Sequence, residues 1–116
     1  MLPSALRLKN PLSFQKAFRF GRAFFFGNVG CRIVFSAKSG RKFGFLSAKK
    51  MFRLSVERNR ARRILSEAVA PVASSFPEDA HIVLFFRSKP EHLEMGAVRH
   101  DLDGLINAIC ASTRRN

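Results

Sequence analysis

Ser55-Val56-Glu57-Arg58-Asn59-Arg60-Ala61-Arg62-Arg63-Ile64-Leu65-Ser66-Glu67-Ala68-Val69-Ala70 is the stretch from which the rest of the chain can be laid out. At 100° per residue, Ala61, Ile64, Leu65, Ala68, Val69 and Val72 fall on one arc of about 140°. Asn59, Arg60, Arg62, Arg63, Ser66 and Glu67 occupy the opposite arc, and Arg58 projects near the apolar edge. The pattern predicts an amphipathic helix over residues 55–70 or beyond, one face in a core and one face strongly cationic. Pro71 ends or kinks it, because proline lacks an amide donor.

Both flanks of this helix read as strands. Before it, Cys31, Ile33 and Phe35 alternate with Arg32, Val34 and Ser36, a period of two, and Phe43 to Ala48 forms a further strand. Gly27-Asn28 and Ser39-Gly40 are turn signals that make antiparallel hairpins over residues 23–48. After it, Ser74 to Asp79 is a loop, and His81 to Ser88 is an apolar run suited to a central strand. Asn10-Pro11 reads as an N-cap with proline at the first helical position, followed by Phe14, Ala17 and Phe18 at helical spacing and Gly21 as a stop. Ser88 or Pro90 opens a last helix with the stripe Leu93, Val98, Leu102, Leu105, Ile106 and Ile109, weakened by Gly96 and Gly104. The order αβββαβα is that of an α+β two-layer sandwich, helices on a sheet, in a single domain over residues 1–116.

Charge narrows the function. The chain carries 21 Lys and Arg against 8 Asp and Glu, a net +13. Residues 1–63 hold 16 cations and only Glu57, a balance of +15, whereas residues 64–116 hold 5 cations and 7 acids, a balance of −2. Such self-repulsion opposes a compact state unless a polyanion answers it. An anionic membrane is the weaker choice of polyanion. The longest apolar run, Ile82 to Phe86, is too short to span, Arg7 and Lys9 interrupt any signal-peptide core, and no lipidation motif is present. A nucleic acid remains.

Within the basic half, Lys49, Lys50, Arg53, Arg58, Asn59, Arg60, Arg62 and Arg63 surround a helix start. Guanidinium forks bind phosphate bidentately, Asn reaches a sugar or base edge, and the helix N-terminus favours anions. Cations there oppose the helix dipole, so they are poor choices for stability alone. Ten of the thirteen Phe lie in the first 52 residues among these cations, where rings can stack on unpaired bases. By periodicity alone, however, Phe14 and Phe18 read as core, the usual place for Phe at helical spacing. The run Phe24-Phe25-Phe26 cannot direct all three rings to one side of a strand.

Catalytic groupings are missing. The first 56 residues contain no carboxylate, Glu78-Asp79 reads as a solvated turn, and Asp101 and Asp103 diverge on a helix. There is no phosphate-binding glycine loop or nucleophile elbow. Cys31 and Cys110 are too far apart for a metal motif and read as small apolar residues in a reducing compartment, and His81, His92 and His100 lack ligand spacing.

Three segments resemble a known family. Ser13-Phe14-Gln15-Lys16-Ala17-Phe18-Arg19-Phe20-Gly21, Gly44-Phe45-Leu46-Ser47-Ala48-Lys49-Lys50 and Arg58 through Glu67 occur in the order and near the spacing of the bacterial ribonuclease P protein subunit. The resemblance implies a ribosomal protein S5 domain 2-like fold, with a left-handed βαβ crossover around the Arg58 helix. It implies an accessory subunit of an endoribonuclease, paired with ribonuclease P RNA in a cytoplasmic heterodimeric ribonucleoprotein. The enzyme removes the 5′ leader from precursor tRNA, with Mg²⁺ held mainly by the RNA and substrate and none held tightly by the protein. By position, Arg58, Asn59, Arg60, Arg62 and Arg63, with Lys49, Lys50 and Arg53, would face the catalytic RNA, and Phe14 and Phe18 would line a cleft for the leader. Two departures stand out. The loop Met51 to Glu57 has no Gly and is about one residue longer than usual, and Ser66 replaces a usually basic residue. The competing readings are a ribosomal or general RNA-binding protein of similar fold, which explains the charge but not the pairing of motifs, and a stand-alone nuclease, which lacks its carboxylates.

Overall fold

The computed structural model describes residues 2–35 and 40–114. After a short 3-10 turn, Ser4–Leu6, come α1 (Pro11–Phe20), β1 (Arg22–Phe26), β2 (Val29–Val34), β3 (Lys42–Leu46), α2 (Ser55–Val69), β4 (His81–Phe86) and α3 (Met95–Arg114). The sheet order is β1-β2-β4-β3. β1 and β2 form an antiparallel hairpin, β4 lies antiparallel to β2, and β3 runs parallel to β4. A parallel pair needs a crossover, and α2 provides it. Gly27, with φ 59, makes the β1–β2 turn. Of the second turn signal, Gly40 has φ 86, and Ser39 lies outside the described residues.

The registers sort the side chains. Phe24, Cys31, Leu84 and Phe45 share one row, and Arg22, Ile33, Ile82 and Phe43 share the next row of the same face. That face is the core. α2 closes it with Ala61, Leu65, Ala68 and Val69, and α3 with Val98, Leu102, Leu105 and Ile109, all buried. At roughly 1.5–3 kcal/mol for each fully buried large aliphatic or aromatic side chain, this face supplies most of the stabilisation. The Cys31 thiol lies inside it, where burial pushes its pKa up to about 12, so it stays protonated and inert. Cys110 is half-buried.

Several boundaries differ from those predicted. α3 begins at Met95 rather than at Ser88 or Pro90. Leu93 therefore precedes the helix, although it still packs on the core. Residues 88–94 are irregular because Ser88 is tied to Asn28 rather than capping a helix. β3 stops at Leu46, where Ser47 turns to bond α2. Pro71 ends α2 and starts a 3-10 turn, Ala70–Ser75, that the apolar periodicity hides.

The run of three phenylalanines divides among three environments. Phe24 enters the core, Phe25 points to the opposite face of the sheet, and Phe26 lies on α3 beside His100, with ring centroids 6.2 Å apart. A Cβ on Gly104 would sit 2.2 Å from the Phe26 ring, so the glycine that weakens the helical pattern is the seat for that ring. Gly104→Val is expected to lower unfolding free energy by about 1–3 kcal/mol, through lifting β1 off α3. Urea denaturation would register it as a lower midpoint at unchanged slope.

Candidate nucleic-acid interface

The cationic helix start is built with two kinds of arginine. Arg58 turns back, its Nη1 donating to the carbonyls of Phe52 at 2.9 Å and Arg53 at 3.0 Å. Arg62 Nη1 donates to Ser47 Oγ at 2.8 Å, and its Nη2 donates to Asn59 Oδ1. Ser47 Oγ in turn donates to the Arg58 carbonyl at 3.3 Å. Arg58, Arg62 and Asn59 thus knit the end of β3 and its loop onto the first turns of α2. Lys49, Lys50, Arg53, Arg60 and Arg63 are exposed, and among the described residues none of them pairs with a carboxylate.

The glycine-free loop closes without strain. Met51 and Phe52 donate their amides to the Ala48 carbonyl at 3.1 and 2.9 Å, and Phe52 is buried edge-on against Phe86. Glu57 relieves part of the conflict between cations and helix dipole. Its carboxylate accepts from the Leu54 amide at 3.3 Å and pairs with Lys89 at 3.1 Å. The Lys89 ammonium first, and the Leu54 amide second, hold its carboxyl below the usual range.

The other face of the sheet carries α1, with the N-terminal segment beside it at the β3 edge. Ala17 is the buried centre of that helix. Helical spacing places Phe14 and Phe18 to one side of Ala17, and Ser13 and Lys16 to the other. Phe14 stands over Gly44, where a Cβ would come within 2.7 Å of its ring. Phe18, 37% exposed, meets Phe85 edge-on at 6.1 Å, and the Arg32 guanidinium lies 5.4 Å from its centroid. Beyond Phe85 the floor continues to Phe25, 47% exposed and 6.3 Å from Phe85, and Arg87 lies 4.8 Å over the Phe25 ring. Gly30 keeps this end open, since a Cβ there would strike both the Phe25 and Phe85 rings at 2.8 Å. The result is a cleft walled by α1, floored by exposed aromatic edges and set with guanidinium groups.

The two surfaces adjoin. A groove at the β3 edge is lined by Arg7, Leu8, Phe14 and Gly44 on one side and by Arg62 and Arg63 on the other. Ser66, at the position where the family resemblance implies a basic residue, also lines it. Of the cations singled out from the sequence, Arg62 and Arg63 line this groove, opposite Phe14, and Phe14 and Phe18 together line the hollow next to it.

Sequence reasoning missed Phe25, Arg32, Phe85 and Arg87. Their role depends on the register of β1 on β2 and of β2 on β4, which period-two alternation does not fix. Alternation sets Phe85 on the opposite side of its strand from Leu84 and Phe86, but the run is apolar on both sides and does not say which side is covered. Arg32 gives a further sign of a ligand site. Its Nε is buried and without a hydrogen-bond partner among the described residues.

Glu67 also lines the groove, but among the described residues no cluster of carboxylates offsets these basic surfaces. Glu78 and Asp79 are exposed in a turn, and Asp101 is engaged in structure, accepting the Asn28 amide at 3.1 Å beneath Gly27. Among the described residues no three His, Cys, Asp or Glu are placed to hold a metal, and no helix is long and apolar enough to cross a membrane.

The family model described as Ribonuclease P matches residues 2–110. A ribonuclease P protein component from Chloroflexus aggregans is 28% identical over 111 residues, covering 94% of this chain and 81% of that protein. The ribonuclease P protein from Thermotoga maritima superposes with a TM-score of 0.75 at 20% identity, over 89% of this chain and 96% of its own. The Staphylococcus aureus ribonuclease P protein gives 0.70 at 18% identity, over 94% and 92%.

Proposed function

The chain belongs to the ribonuclease P protein family, and from that premise we propose that it grips the catalytic RNA with the α2 start and a single-stranded tRNA leader with the α1 cleft. The observation that carries this reading is the junction at the β3 edge, where exposed Arg63 and the first cleft aromatic, Phe14, line one groove. Arg60, Arg63, Lys49, Lys50 and Arg53 are free to meet phosphates of the RNA subunit. Arg58 and Arg62 shape that surface from beneath, and exposed Asn59 holds Arg62 from the surface itself. In the cleft, Phe18, Phe25 and Phe85 offer rings to unpaired bases, while Arg32 and Arg87 offer donors to the strand.

In this reading the bond cleavage belongs to the RNA. Mg²⁺ would supply charge neutralisation and an activated water, held mainly by RNA and substrate oxygens. The protein lends affinity and order within a heterodimeric cytoplasmic ribonucleoprotein.

Reconstitution tests it. Adding the protein to ribonuclease P RNA at low Mg²⁺ is expected to raise leader cleavage and precursor affinity at least tenfold, an effect of about 1.4 kcal/mol. No gain would remove the proposal. Recovery of ribosomal RNA rather than ribonuclease P RNA after crosslinking would assign the same surfaces to a different RNA.

A further inference from the structure

On the flank of α1 away from Phe14 and Phe18 lies a second pocket. It is lined by Ser4, Arg7, Lys9, Ser13, Lys42 and His81. The N-terminal segment roofs it. The Leu8 amide donates to the Phe43 carbonyl at 2.7 Å, which lays this segment along the free edge of β3. Lys42 Nζ donates to the Ala5 carbonyl at 3.1 Å, Lys9 Nζ to Ser4 Oγ, and Arg7 Nε to the Leu2 carbonyl at 3.2 Å. Every one of these partners is neutral. Among the described residues no carboxylate lines the pocket.

His81 is the centre of this arrangement. It pairs across the sheet with Lys42 on β3 and with uncharged Val34 on β2. Lys16 faces it from α1, and Arg7 and Lys9 from the N-terminal segment. Burial first, then Lys42 and Lys16, hold the His81 imidazolium below its usual pKa. Concentrated positive charge around a half-buried imidazole, with two hydroxyls and no acid, is suited to an oxyanion. A bound anion would reverse the sign of the field on His81 and draw a proton onto it.

We infer that this pocket is a phosphate site separate from the aromatic cleft, and that it holds phosphate most tightly when His81 is protonated. The shared chemistry is a phosphate oxygen cluster, from a phosphodiester of an RNA strand or from free phosphate. The inference goes beyond the leader reading and does not require it.

The His81 ring resonances, followed by NMR across pH 5–8 in the unmodified protein, are the direct readout, with His81→Gln used for assignment. Saturating inorganic phosphate or a short single-stranded oligoribonucleotide is expected to raise the His81 pKa by about one unit. For the oligonucleotide, whose phosphodiesters do not titrate in this range, binding is expected to tighten several-fold more between pH 7.5 and 5.5 than in His81→Gln, with about tenfold as the ceiling that a one-unit rise sets. A response to both probes marks a general phosphate site, and a response to the oligonucleotide alone marks a strand contact. Both outcomes support the inference. If neither probe moves His81, it is wrong, even where the oligonucleotide binds through Phe18 and the leader reading stands. If the response disappears in Phe18→Ala, the pocket is not a separate site. A phosphate response without any oligonucleotide binding would retain the pocket and remove the leader reading.

Discussion

Phe18→Ala is expected to weaken binding of leader-bearing precursor tRNA by the reconstituted holoenzyme roughly tenfold or more, while mature tRNA binding stays nearly constant. The size follows from base stacking, which alanine substitution values at about 1–3 kcal/mol per base. Phe18 is placed for that use. Its ring is 37% exposed, braced edge-on by Phe85 and stacked with the Arg32 guanidinium. Its removal also lets water reach Arg32 and Phe85, so neighbouring interactions weaken with it. Because the ring is partly solvated already, the loss in folding stability should stay near 1 kcal/mol, well under the 3–5 kcal/mol typical of a buried Phe. Parallel binding titrations with precursor and mature tRNA, alongside a urea curve, separate the effects. Equal losses for both tRNAs, or a collapse in stability, would return Phe18 to the role of a core residue.

The second large effect concerns the arginines of α2, and it splits them. Arg60→Ala with Arg63→Ala is expected to reduce the salt slope of binding to ribonuclease P RNA by about 2, since each phosphate that the protein ceases to neutralise accounts for roughly 0.9. Stability should hardly change, because both side chains are exposed and unpaired with carboxylates among the described residues. Arg58→Ala should do the reverse. Two carbonyls, those of Phe52 and Arg53, are deprived of their donor. At about 1–3 kcal/mol for each buried polar group left unsatisfied, discounted for partial exposure, the unfolding midpoint should fall while the salt slope holds. A slope that drops with Arg58→Ala and not with the outer pair would reverse this division of labour.

That division could not be seen in the sequence. Helical periodicity put Arg58, Asn59, Arg60, Arg62 and Arg63 on one helix and identified its buried face, because burial of Ala61, Leu65, Ala68 and Val69 follows directly from spacing. It could not show which guanidinium groups fold back, because that depends on where the preceding loop's carbonyls lie. The order of elements was also legible. Asn10 caps α1, its side chain accepting from the Leu12 amide at 3.0 Å, and Gly21 closes it. The start of α3 was not, since the tie between Ser88 and Asn28 spans 60 residues. Likewise Phe14 and Phe18 were visible as candidates, whereas the rest of the cleft floor waited on strand register.

The β1–β2 turn fixes that register. Asp101 accepts the Asn28 amide beneath Gly27, and the Asn28 side chain joins Ser88 through three hydrogen bonds of 2.8–2.9 Å. A single-residue deletion in β1 would therefore be read out as an inversion. If Phe26 were the residue lost, Phe25 would take its place and turn inward, and Phe24 would turn outward into the cleft, because a slip by one exchanges the two faces of a strand. The tolerance of this hairpin to length change should consequently be far lower than its tolerance to exchange of one aromatic for another.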